Sequence, residues 1–271
     1  MSPDPLRLPL DVASLRTGLT GAGSAWRRID VVAETGSTNA DLLARASAGA
    51  DVGDVVLVAE HQTAGRGRNG RVWDAAPGAQ LLLSVGARAG DVPAESWGWL
   101  PLAAGVAVVD AVIAETGIRA GLKWPNDVLC EGRKLAGILA EVAAPEPVIV
   151  LGIGLNVSIG RDEVNDPNAT SLTDLGVVAP NRDSLLRTLL TQLAERIRAW
   201  RQPGMSSQLA TDYRAHSLTI GSRVRVALPG SGELVGRAEA IDGNGRLVVC
   251  SDGNRTAISA GDVIHLRRAQ Q

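Results

Sequence analysis

The segment HQTAGRGRNGRVW, residues 61–73, combines reactive side chains with a flexible backbone. Arg66, Arg68 and Arg71 are interspersed there with three glycines. Guanidinium groups donate paired hydrogen bonds to phosphate and carboxylate oxygens, and glycine tolerates backbone conformations that other residues avoid. We therefore predict that this segment, called the lid below, is flexible when empty and closes on an anionic ligand. The alternative is a solvated surface loop.

The glycine spacing of the lid fits two well-known nucleotide motifs, and neither explains it. Gly65, Gly67 and Gly70 match both the dinucleotide fingerprint and the glycine-rich loop of protein kinases. A dinucleotide site needs a helix directly after the third glycine, but a Pro-Gly turn and a strand-like segment follow here. A kinase needs HRD and DFG tripeptides, and the chain contains neither.

Lysine is rare in this chain and confined to one region. Of 27 basic residues only two are lysines, Lys123 and Lys134, and they lie within twelve residues of each other. Lysine is a compact charge on a flexible stem that can follow a phosphate or a carboxylate. This clustering favours a functional role for both lysines over the alternative that they were retained by chance.

Composition indicates a soluble globular protein without a built-in metal centre. The chain has 271 residues, of which 45% are hydrophobic and 21% charged, with a net charge of −2, so bulk attraction to nucleic acid or membrane is not expected. The longest apolar run, Leu100–Ile113, is interrupted by Asp110 and is predicted to be too short for a bilayer. Two isolated cysteines and three scattered histidines give no zinc spacing. We expect a reduced, cytoplasmic protein.

Hydrophobic patterning predicts an α+β fold with a mixed, largely antiparallel sheet and packed helices, because successive hairpins replace regular strand–helix alternation. Strands are predicted at residues 28–35, 54–60, 79–88, 118–124 and 147–158, with a hairpin over 127–143 that turns at Gly132. Helices are predicted at 36–49, capped by Ser37 or Thr38, and at 96–117, 183–200 and 206–216.

The residue pattern of the sequence changes near residue 217. Short β-prone runs separated by Gly, Asn, Asp and Pro turns follow from residue 218 to the end, which predicts a small β-barrel. We therefore divide the chain into a larger domain, residues 1–217, and a C-terminal domain, residues 218–271. Residues 1–28, with three early prolines, are predicted to be a poorly defined lead-in.

Four motifs in order carry a family resemblance: GRGRNGRVW at 65–73, KWPNDV at 123–128, RKLAGILAE at 133–141 and GIGLNV at 152–157. Together they resemble the biotin–protein ligases, from TGSTN at 35–39 to the end of the chain. The resemblance implies a class II synthetase-like catalytic domain and an SH3-like C-terminal domain. The short lead-in resembles the short form of the family, which lacks the N-terminal DNA-binding domain, so no specific DNA binding is expected.

The resemblance implies a two-step reaction. Biotin and ATP form biotinoyl-5′-AMP and pyrophosphate, and a lysine of a biotin carboxyl carrier domain of an acyl-CoA carboxylase then takes the biotinoyl group. Mg²⁺ is implied with the ATP and is expected to be held mainly by phosphates, with no protein metal ligands. Both nucleophiles belong to substrates, so the protein must position them and stabilise charge. No membrane partner is implied, and a homodimer is left open.

Residue roles implied by the resemblance fall into three groups. The catalytic group comprises Lys134, Arg66, Arg68 and Asp127. The biotin-binding group comprises Ser37, Thr38, Asn39, Gln62, Arg66, Gly67, Arg68, Lys134, Gly137, Ile138 and Gly154. The ATP-binding group comprises Arg68, Arg71, Trp73, Lys123, Asn126, Lys134 and Asn156.

Several alternatives stay open at the level of sequence. Trp73 is either a core anchor for the lid or part of the nucleotide pocket, and Asn126 with Asp127 is also a common turn-forming pair. Residues 160–172 contain no aromatic residue to stack on adenine, which some relatives have. Two other functions compete: an enzyme of similar architecture that uses lipoate or octanoate, and a non-catalytic nucleotide- or DNA-binding regulator.

Overall fold

A computed structural model describes residues 6–145, 147–204, 206–228, 232–259 and 261–266 of the chain. The outer ends of the two predicted domains, residues 1–5 and 267–271, therefore lie outside the described residues.

In the described residues, nine strands precede the C-terminal domain. They are β1 Arg28–Thr35, β2 Val55–Gln62, β3 Gly65–Arg66, β4 Val72–Trp73, β5 Gln80–Arg88, β6 Gly121–Lys123, β7 Asp127–Cys130, β8 Arg133–Ala143 and β9 Val148–Asn156. Seven of them make one sheet in the order β1-β2-β5-β9-β8-β7-β6, whereas β3 and β4 pair only with each other. Within the seven-stranded sheet β1 and β2 are parallel and every other pair is antiparallel. The predicted α+β fold with a largely antiparallel sheet is confirmed.

Five helices accompany the sheets. They are α1 Val12–Leu19, α2 Thr38–Ser47, α3 Trp99–Thr116, α4 Arg182–Trp200 and α5 Ser206–His216. The predicted cap of α2 is correct, because the Ser37 side chain accepts from the backbone N–H of Ala40. The end of α3 at Gly117 is also correct: this glycine has φ of 72°, the left-handed conformation that ends helices.

The predicted hairpin over residues 127–143 is confirmed as β7 and β8. Glu131 and Gly132 form its turn with φ of 51° and 75°, and positive φ at both central residues matches the right-handed twist of the flanking strands. The pairing register shifts between Val128 and Leu129. Such a bulge changes the direction of nearby side chains, and here it lies beside Lys134.

The C-terminal domain is an antiparallel sheet, consistent with the predicted small SH3-like domain, and the sheet is open. Its strands are β10 Arg223–Ala227, β11 Glu233–Ile241, β12 Leu247–Ser251, β13 Asn254–Ile258 and β14 Asp262–His265. The strand order is β13-β12-β11-β10-β14. In the described part of the chain β13 and β14 therefore stay at opposite edges, and no ladder closes the sheet into a barrel.

The described residues of the lead-in, 6–28, contain a helix and buried side chains. Helix α1 is capped by Asp11, and its Leu15 is fully buried. Trp26 is also buried, and its indole N–H donates to the carbonyl of Leu190 on α4 at 3.1 Å. The Trp26–Leu190 contact joins residues 164 positions apart in the chain, so local sequence patterns could not predict it.

Helix α3 is the apolar centre of the core. The helical stretch Ala94–Thr116 is long and apolar enough to cross a membrane by length and composition, so the expectation that no segment reaches that length is wrong. Within the fold 67% of the apolar 18-residue window of this stretch is buried, and α3 packs against both α4 and the sheet. Its apolar character is that of a core helix.

Candidate active site

One face of the seven-stranded sheet carries a cavity of about 610 Å³. The lid, the start of α2, the turn before β7, strands β8 and β9, and β14 of the C-terminal domain bound this cavity. Every residue assigned above to biotin, ATP or catalysis lines it: Ser37, Thr38, Asn39, Gln62, Arg66, Gly67, Arg68, Arg71, Trp73, Lys123, Asn126, Asp127, Lys134, Gly137, Ile138, Gly154 and Asn156. The structure thus brings these residues together, while their individual roles stay predictions.

The lid is a small hairpin built from its glycines. Strands β3 and β4 pair at Gly65 with Trp73, and Asn69 and Gly70 turn the chain with φ of 55° and 73°. A β-carbon on Gly65 would lie 2.4 Å from the carbonyl oxygen of Trp73. Glycine is required there by close approach of the two strands, and at position 70 by backbone conformation. The motif therefore encodes a hairpin rather than a helix-opening nucleotide loop.

Each lid arginine has a different protein partner. Arg66 pairs with Glu141 on β8, and Arg71 pairs with Asp262 on β14. Arg68 donates to the side-chain oxygen of Asn126 at 3.2 Å. The lid is therefore anchored at three points, on the sheet, on the turn before β7 and on the C-terminal domain. Closure of the lid on a ligand stays a prediction.

Arg68 is a partly buried cation without a carboxylate partner among the described ion pairs. Burial lowers the pKa of its guanidinium, whereas the charges of Asp262 and Asp127 raise it. Arginine nevertheless stays protonated at neutral pH. Its neutral hydrogen-bond partner, Asn126, leaves the positive charge available to an anion in the cavity.

Lys134 is held tightly by its backbone and by its ammonium group. Its backbone N–H donates to the carbonyl of Asn168 at 2.7 Å, and its own carbonyl accepts from the N–H of Thr170 at 2.9 Å. Its Nζ lies 2.7 Å from the Asp127 carboxylate and 5.5 Å from the centre of the Trp73 ring. Such a fixed ammonium can stabilise negative charge that develops beside it.

The turn before β7 holds the neighbouring polar groups. The Trp124–Pro125 peptide bond is cis. The Asn126 amide donates to the carbonyl of Ile138 at 2.9 Å, and the Ile138 N–H donates back to the Asn126 carbonyl. Lys123 pairs across the hairpin with Asp127 in the β6–β7 ladder. This turn holds β7 and β8 together and also forms one wall of the cavity. The geometry is therefore compatible with a turn-forming role and with a ligand-binding role for Asn126 and Asp127.

A set of uncharged polar side chains lies around the start of α2 and is called the neutral polar group below: Ser37, Thr38, Asn39 and Gln62. The Gln62 side-chain oxygen accepts from the backbone N–H of Thr38 at 2.8 Å, and the Thr38 hydroxyl lies 3.0 Å from the same oxygen. Asn39 donates to the Glu141 carboxylate at 2.9 Å. Ser37 caps the helix and also lines the cavity. Neutral donors and acceptors of this kind suit a neutral polar ligand group.

Two glycines make room for the Trp73 ring between the region of Lys134 and the start of α2. Gly137 on β8 and Gly154 on β9 are cross-strand partners. A β-carbon on Gly154 would lie 2.5 Å from the Trp73 indole, and one on Gly137 would lie 2.9 Å from it. Trp73 is half-buried, and its indole N–H is buried with no hydrogen-bond partner. The ring lines the cavity, so it is more than a core anchor of the lid.

The Asn156 side chain is hydrogen-bonded to neighbouring parts of the protein. Its amide nitrogen donates to the carbonyl of Thr170 at 2.9 Å, and its oxygen accepts from Gln80 at 2.9 Å. A second, longer contact of 3.4 Å reaches the carbonyl of Lys134. The side chain therefore helps to hold the strand that carries Lys134, a structural role that sequence reasoning did not anticipate.

Other residues of the cavity carried no recognisable signal in the sequence. Asp166 and Asn168 come from the loop after β9, and Ile264 and His265 come from β14. The predicted site residues lie in the lid, in TGSTN at 35–39 and in the motifs at 123–128, 133–141 and 152–157, whereas these four residues reach the cavity only through tertiary contacts. His265 is half-buried, and burial together with the charge of Lys123 lowers the pKa of its imidazole.

Models of two protein families match this chain. Residues 34–158 match the Biotin/lipoate A/B protein ligase family, and residues 219–266 match the Biotin protein ligase C terminal domain. The first match contains the lid, β8 and β9, which supply most of the cavity, and the second contains β14.

Sequence and structural relatives agree with these matches. A biotin–[acetyl-CoA-carboxylase] ligase of Mycobacterium tuberculosis is 61% identical over 267 residues, which cover 97% of this chain and 98% of that protein. The structure resembles a biotin protein ligase of Aquifex aeolicus in complex with biotin and ATP, with a TM-score of 0.76, 25% identity, and coverage of 89% and 100% of the two chains. It also resembles a Leishmania major biotin protein ligase in complex with biotinyl-5-AMP, with a TM-score of 0.59, 26% identity, and coverage of 86% and 99%.

The matches extend along nearly the whole chain and include the motifs that form the cavity. The chain therefore belongs to the biotin protein ligases of the Biotin/lipoate A/B protein ligase family.

Proposed function

We propose that this protein is an ATP-dependent biotin–protein ligase. It activates biotin to biotinoyl-5′-AMP and transfers the biotinoyl group to a lysine of a biotin carboxyl carrier domain of an acyl-CoA carboxylase. The observation that carries the proposal is the position of the Lys134 ammonium. It is held by Asp127 in the part of the cavity that Arg68 and Asn126 also line, whereas Asn39 of the neutral polar group contacts Glu141 farther along β8.

Lys134 and the residue that Asn39 contacts lie at separate points along β8. Asn39 contacts the carbonyl of Leu139, five residues along β8 from Lys134, which corresponds to roughly 16 Å of strand. A neutral ureido ring at Asn39 would thus direct the carboxylate of the biotin side chain toward the reach of Lys134. The Gly137–Gly154 pair and Ile138 would lie along the ligand between those points.

In the first step a biotin carboxylate oxygen attacks the α-phosphorus of ATP, and the bond to the pyrophosphate oxygen breaks. Negative charge builds up on the phosphoryl oxygens, and Lys134 stabilises it. Arg66 and Arg68 close over biotin and the phosphates, Arg71 meets the outgoing pyrophosphate, and Lys123 contributes further positive charge. The nucleotide lies against Trp73, Asn126 and Asn156.

In the second step the carrier lysine amine attacks the acyl carbon of the mixed anhydride, an amide bond forms, and AMP leaves. The amine must lose a proton, and the Asp127 carboxylate accepts it or orients the amine. Biotin is retained by Ser37, Thr38, Asn39, Gln62, Gly67, Gly137, Ile138 and Gly154. Asp127 is paired with Lys134 in this structure, so the two groups act as one unit.

Magnesium accompanies the ATP phosphates, where it neutralises charge on the leaving pyrophosphate. The described residues contain no group of three or more His, Cys, Asp or Glu side chains that could hold a metal ion. We expect that phosphate oxygens and water would supply most of its ligands. Asp127 and Asp166 are carboxylates of the cavity lining that can contact its water shell.

The wider setting is part of the same proposal. We assign the catalytic domain to residues 1–217 and the SH3-like domain to residues 218–271, and we expect the protein to act in the cytoplasm without a membrane or a specific DNA site. A homodimer stays open. Sedimentation analysis with and without biotin and ATP determines the oligomeric state, and titration with labelled duplex DNA tests the expected absence of binding.

Biotin-dependent pyrophosphate release is the direct test. Purified protein with ATP and Mg²⁺ should release pyrophosphate when biotin is present and should then label a carrier domain with a single biotinoyl group. Lipoate and octanoate at equal concentration should give at most background release. Activity with lipoate and none with biotin would instead assign the protein to lipoate chemistry, and no release with any acid would indicate a non-catalytic regulator.

A further inference from the structure

A fully buried hydroxyl group lies beneath the neutral polar end of the cavity. Ser84 is in the middle of β5, where eight consecutive residues are buried and most are apolar. A buried hydroxyl without hydrogen bonds is costly, and alanine would fill nearly the same volume. The serine therefore needs an explanation from its contacts.

Both contacts of Ser84 are with residues of the neutral polar group. Its hydroxyl donates to the side-chain oxygen of Asn39 at 2.6 Å, and it lies 2.7 Å from the hydroxyl of Thr38. Asn39 and Thr38 line the cavity, whereas Ser84 does not. Ser84 therefore lies behind the cavity surface that a ligand would contact.

Proton counting identifies the donor to the Asn39 oxygen. Ser84 has one proton, which goes to the Asn39 oxygen because an amide oxygen only accepts. The Thr38 hydroxyl has one proton for two contacts, with the Gln62 oxygen at 3.0 Å and with the Ser84 hydroxyl at 2.7 Å. The Ser84 proton is therefore the one that fixes the Asn39 oxygen.

The Asn39 amide is consequently fixed in one orientation by three adjacent strands. Its nitrogen donates to the carbonyl of Leu139 at 3.3 Å and to Glu141 at 2.9 Å, both on β8. Its oxygen takes the Ser84 proton from β5, and on β9 a β-carbon on Gly152 would lie 2.3 Å from that oxygen. Ser84 and Gly152 are direct cross-strand partners, so the missing side chain of the glycine leaves the space that Asn39 fills.

We infer that Ser84 is a positioning residue for ligand recognition, and this inference rests on the function proposed above. Both amide protons of Asn39 are used within the protein, so only its oxygen can meet a ligand, as an acceptor for an N–H donor. The ureido ring of biotin supplies such N–H groups, whereas its carboxylate does not. Ser84 keeps the Asn39 oxygen turned toward that ring and does not touch biotin itself.

Steady-state kinetics of Ser84→Ala test the inference. Removing the donor leaves the Asn39 oxygen without its fixed partner, and the amide can rotate. The KM for biotin should rise about tenfold, while kcat and the KM for ATP stay within about twofold of the wild type. A general loss of structure would instead lower kcat or change both KM values together, and that result would overturn the inference.

Two further variants separate positioning from stability. Ser158→Ala removes a buried hydroxyl that has no hydrogen-bond partner and should leave the KM for biotin unchanged. Ser84→Cys keeps a weak donor and should give a biotin KM between those of serine and alanine. Should Ser84→Ala fail to fold, the cysteine variant still supports or overturns the inference through the same comparison of the two KM values.

A double-mutant cycle with Asn39→Ala tests the route of the effect. If Ser84 acts through Asn39, adding Ser84→Ala to Asn39→Ala should change the biotin KM by less than about twofold. Additive tenfold losses would exclude this route. Wild-type protein that releases no pyrophosphate with biotin would refute the proposed function itself, whereas an active wild type with an unchanged Ser84→Ala variant would refute only this inference.

Discussion

At the scale of single residues, the site combines a closely held lysine with more exposed arginines. Lys134 is held by backbone hydrogen bonds on both sides and by the Asp127 carboxylate. Arg66 is 44% exposed in its side chain and Arg71 is 65% exposed, so both remain partly in water. A rigid charge suits reacting atoms because it needs no rearrangement during reaction, and we expect the more exposed arginines to serve entry and retention of the ligand.

Replacement of Lys134 by glutamine should lower biotin-dependent pyrophosphate release at least about 100-fold, because the developing phosphoryl charge loses its fixed cation. Lys134→Arg should recover little of this activity, since a planar guanidinium does not match the position of a compact ammonium.

Arg133→Gln is the matched control for this prediction. It removes the neighbouring cation on β8, which pairs with Asp174, and it should retain activity within a few-fold. Normal pyrophosphate release by Lys134→Gln would contradict the assigned role.

At the scale of elements, the lid hairpin is connected to three other parts of the molecule. Its glycines fix the shape of the hairpin, and its arginines fix the place where it rests. Exposed ion pairs contribute little free energy individually, so these anchors can be exchanged for ligand contacts at low cost. Such a hairpin can be ordered at rest and still release its arginines to a ligand.

The anchor on the C-terminal domain can be tested with Asp262→Asn. Loss of the Arg71 pair should increase lid opening in ligand-free protein by up to about fivefold. Trypsin cleavage after the lid arginines, followed by mass spectrometry, measures this opening. Glu239→Gln removes an exposed pair with Arg255 within the C-terminal sheet and should not change cleavage of the lid.

At the scale of the whole molecule, the C-terminal domain is joined to the catalytic domain around two tryptophans. The indole N–H of Trp99 donates to the carbonyl of Gly243 at 2.9 Å, and that of Trp124 lies 3.4 Å from the carbonyl of Gly245. The backbone N–H of Leu218 donates to the carbonyl of Leu122 at 2.8 Å. This junction holds β14 at the cavity, which explains how a C-terminal strand contributes to the site.

A substitution of Gly98 by alanine should disturb this junction. The new β-carbon would lie 2.6 Å from the backbone oxygen of Asn244, so the C-terminal domain must shift, and we expect a loss of about 1–3 kcal/mol in the free energy of unfolding. Chemical denaturation measures it. Gly90→Ala is the control, because its β-carbon would meet only a side-chain atom of Pro147 at 3.6 Å.

His265 should make the stability of the protein depend on pH. Its pKa is lowered in the folded state, by burial and by Lys123, from the ordinary value of 6.5. The unfolded chain therefore binds the proton more readily, so stability is unaffected well above pH 6.5 and falls as the pH drops through and below that value. His265→Gln should show a smaller decrease in melting temperature between about pH 7.5 and about pH 5.5 than the wild type.

The sequence by itself determined the features that depend on near neighbours in the chain. The Ser37 cap, the Gly132 turn and the end of α3 at Gly117 follow from local backbone preferences and were predicted correctly. The four motifs identified the family and named a set of residues that the fold gathers in one cavity. Such features depend on residues close together in the chain, so they can be predicted from the sequence.

Only the tertiary structure decided which distant residues meet. The order of lead-in residues such as Trp26, the open C-terminal sheet, and the positions of His265 and Ser84 all depend on contacts between segments far apart in the chain. A serine within an apolar strand, or a histidine near the C-terminus, has no local pattern that reveals its neighbours. Strand register and domain packing set those contacts, because they minimise the free energy of the whole molecule and not of any one segment.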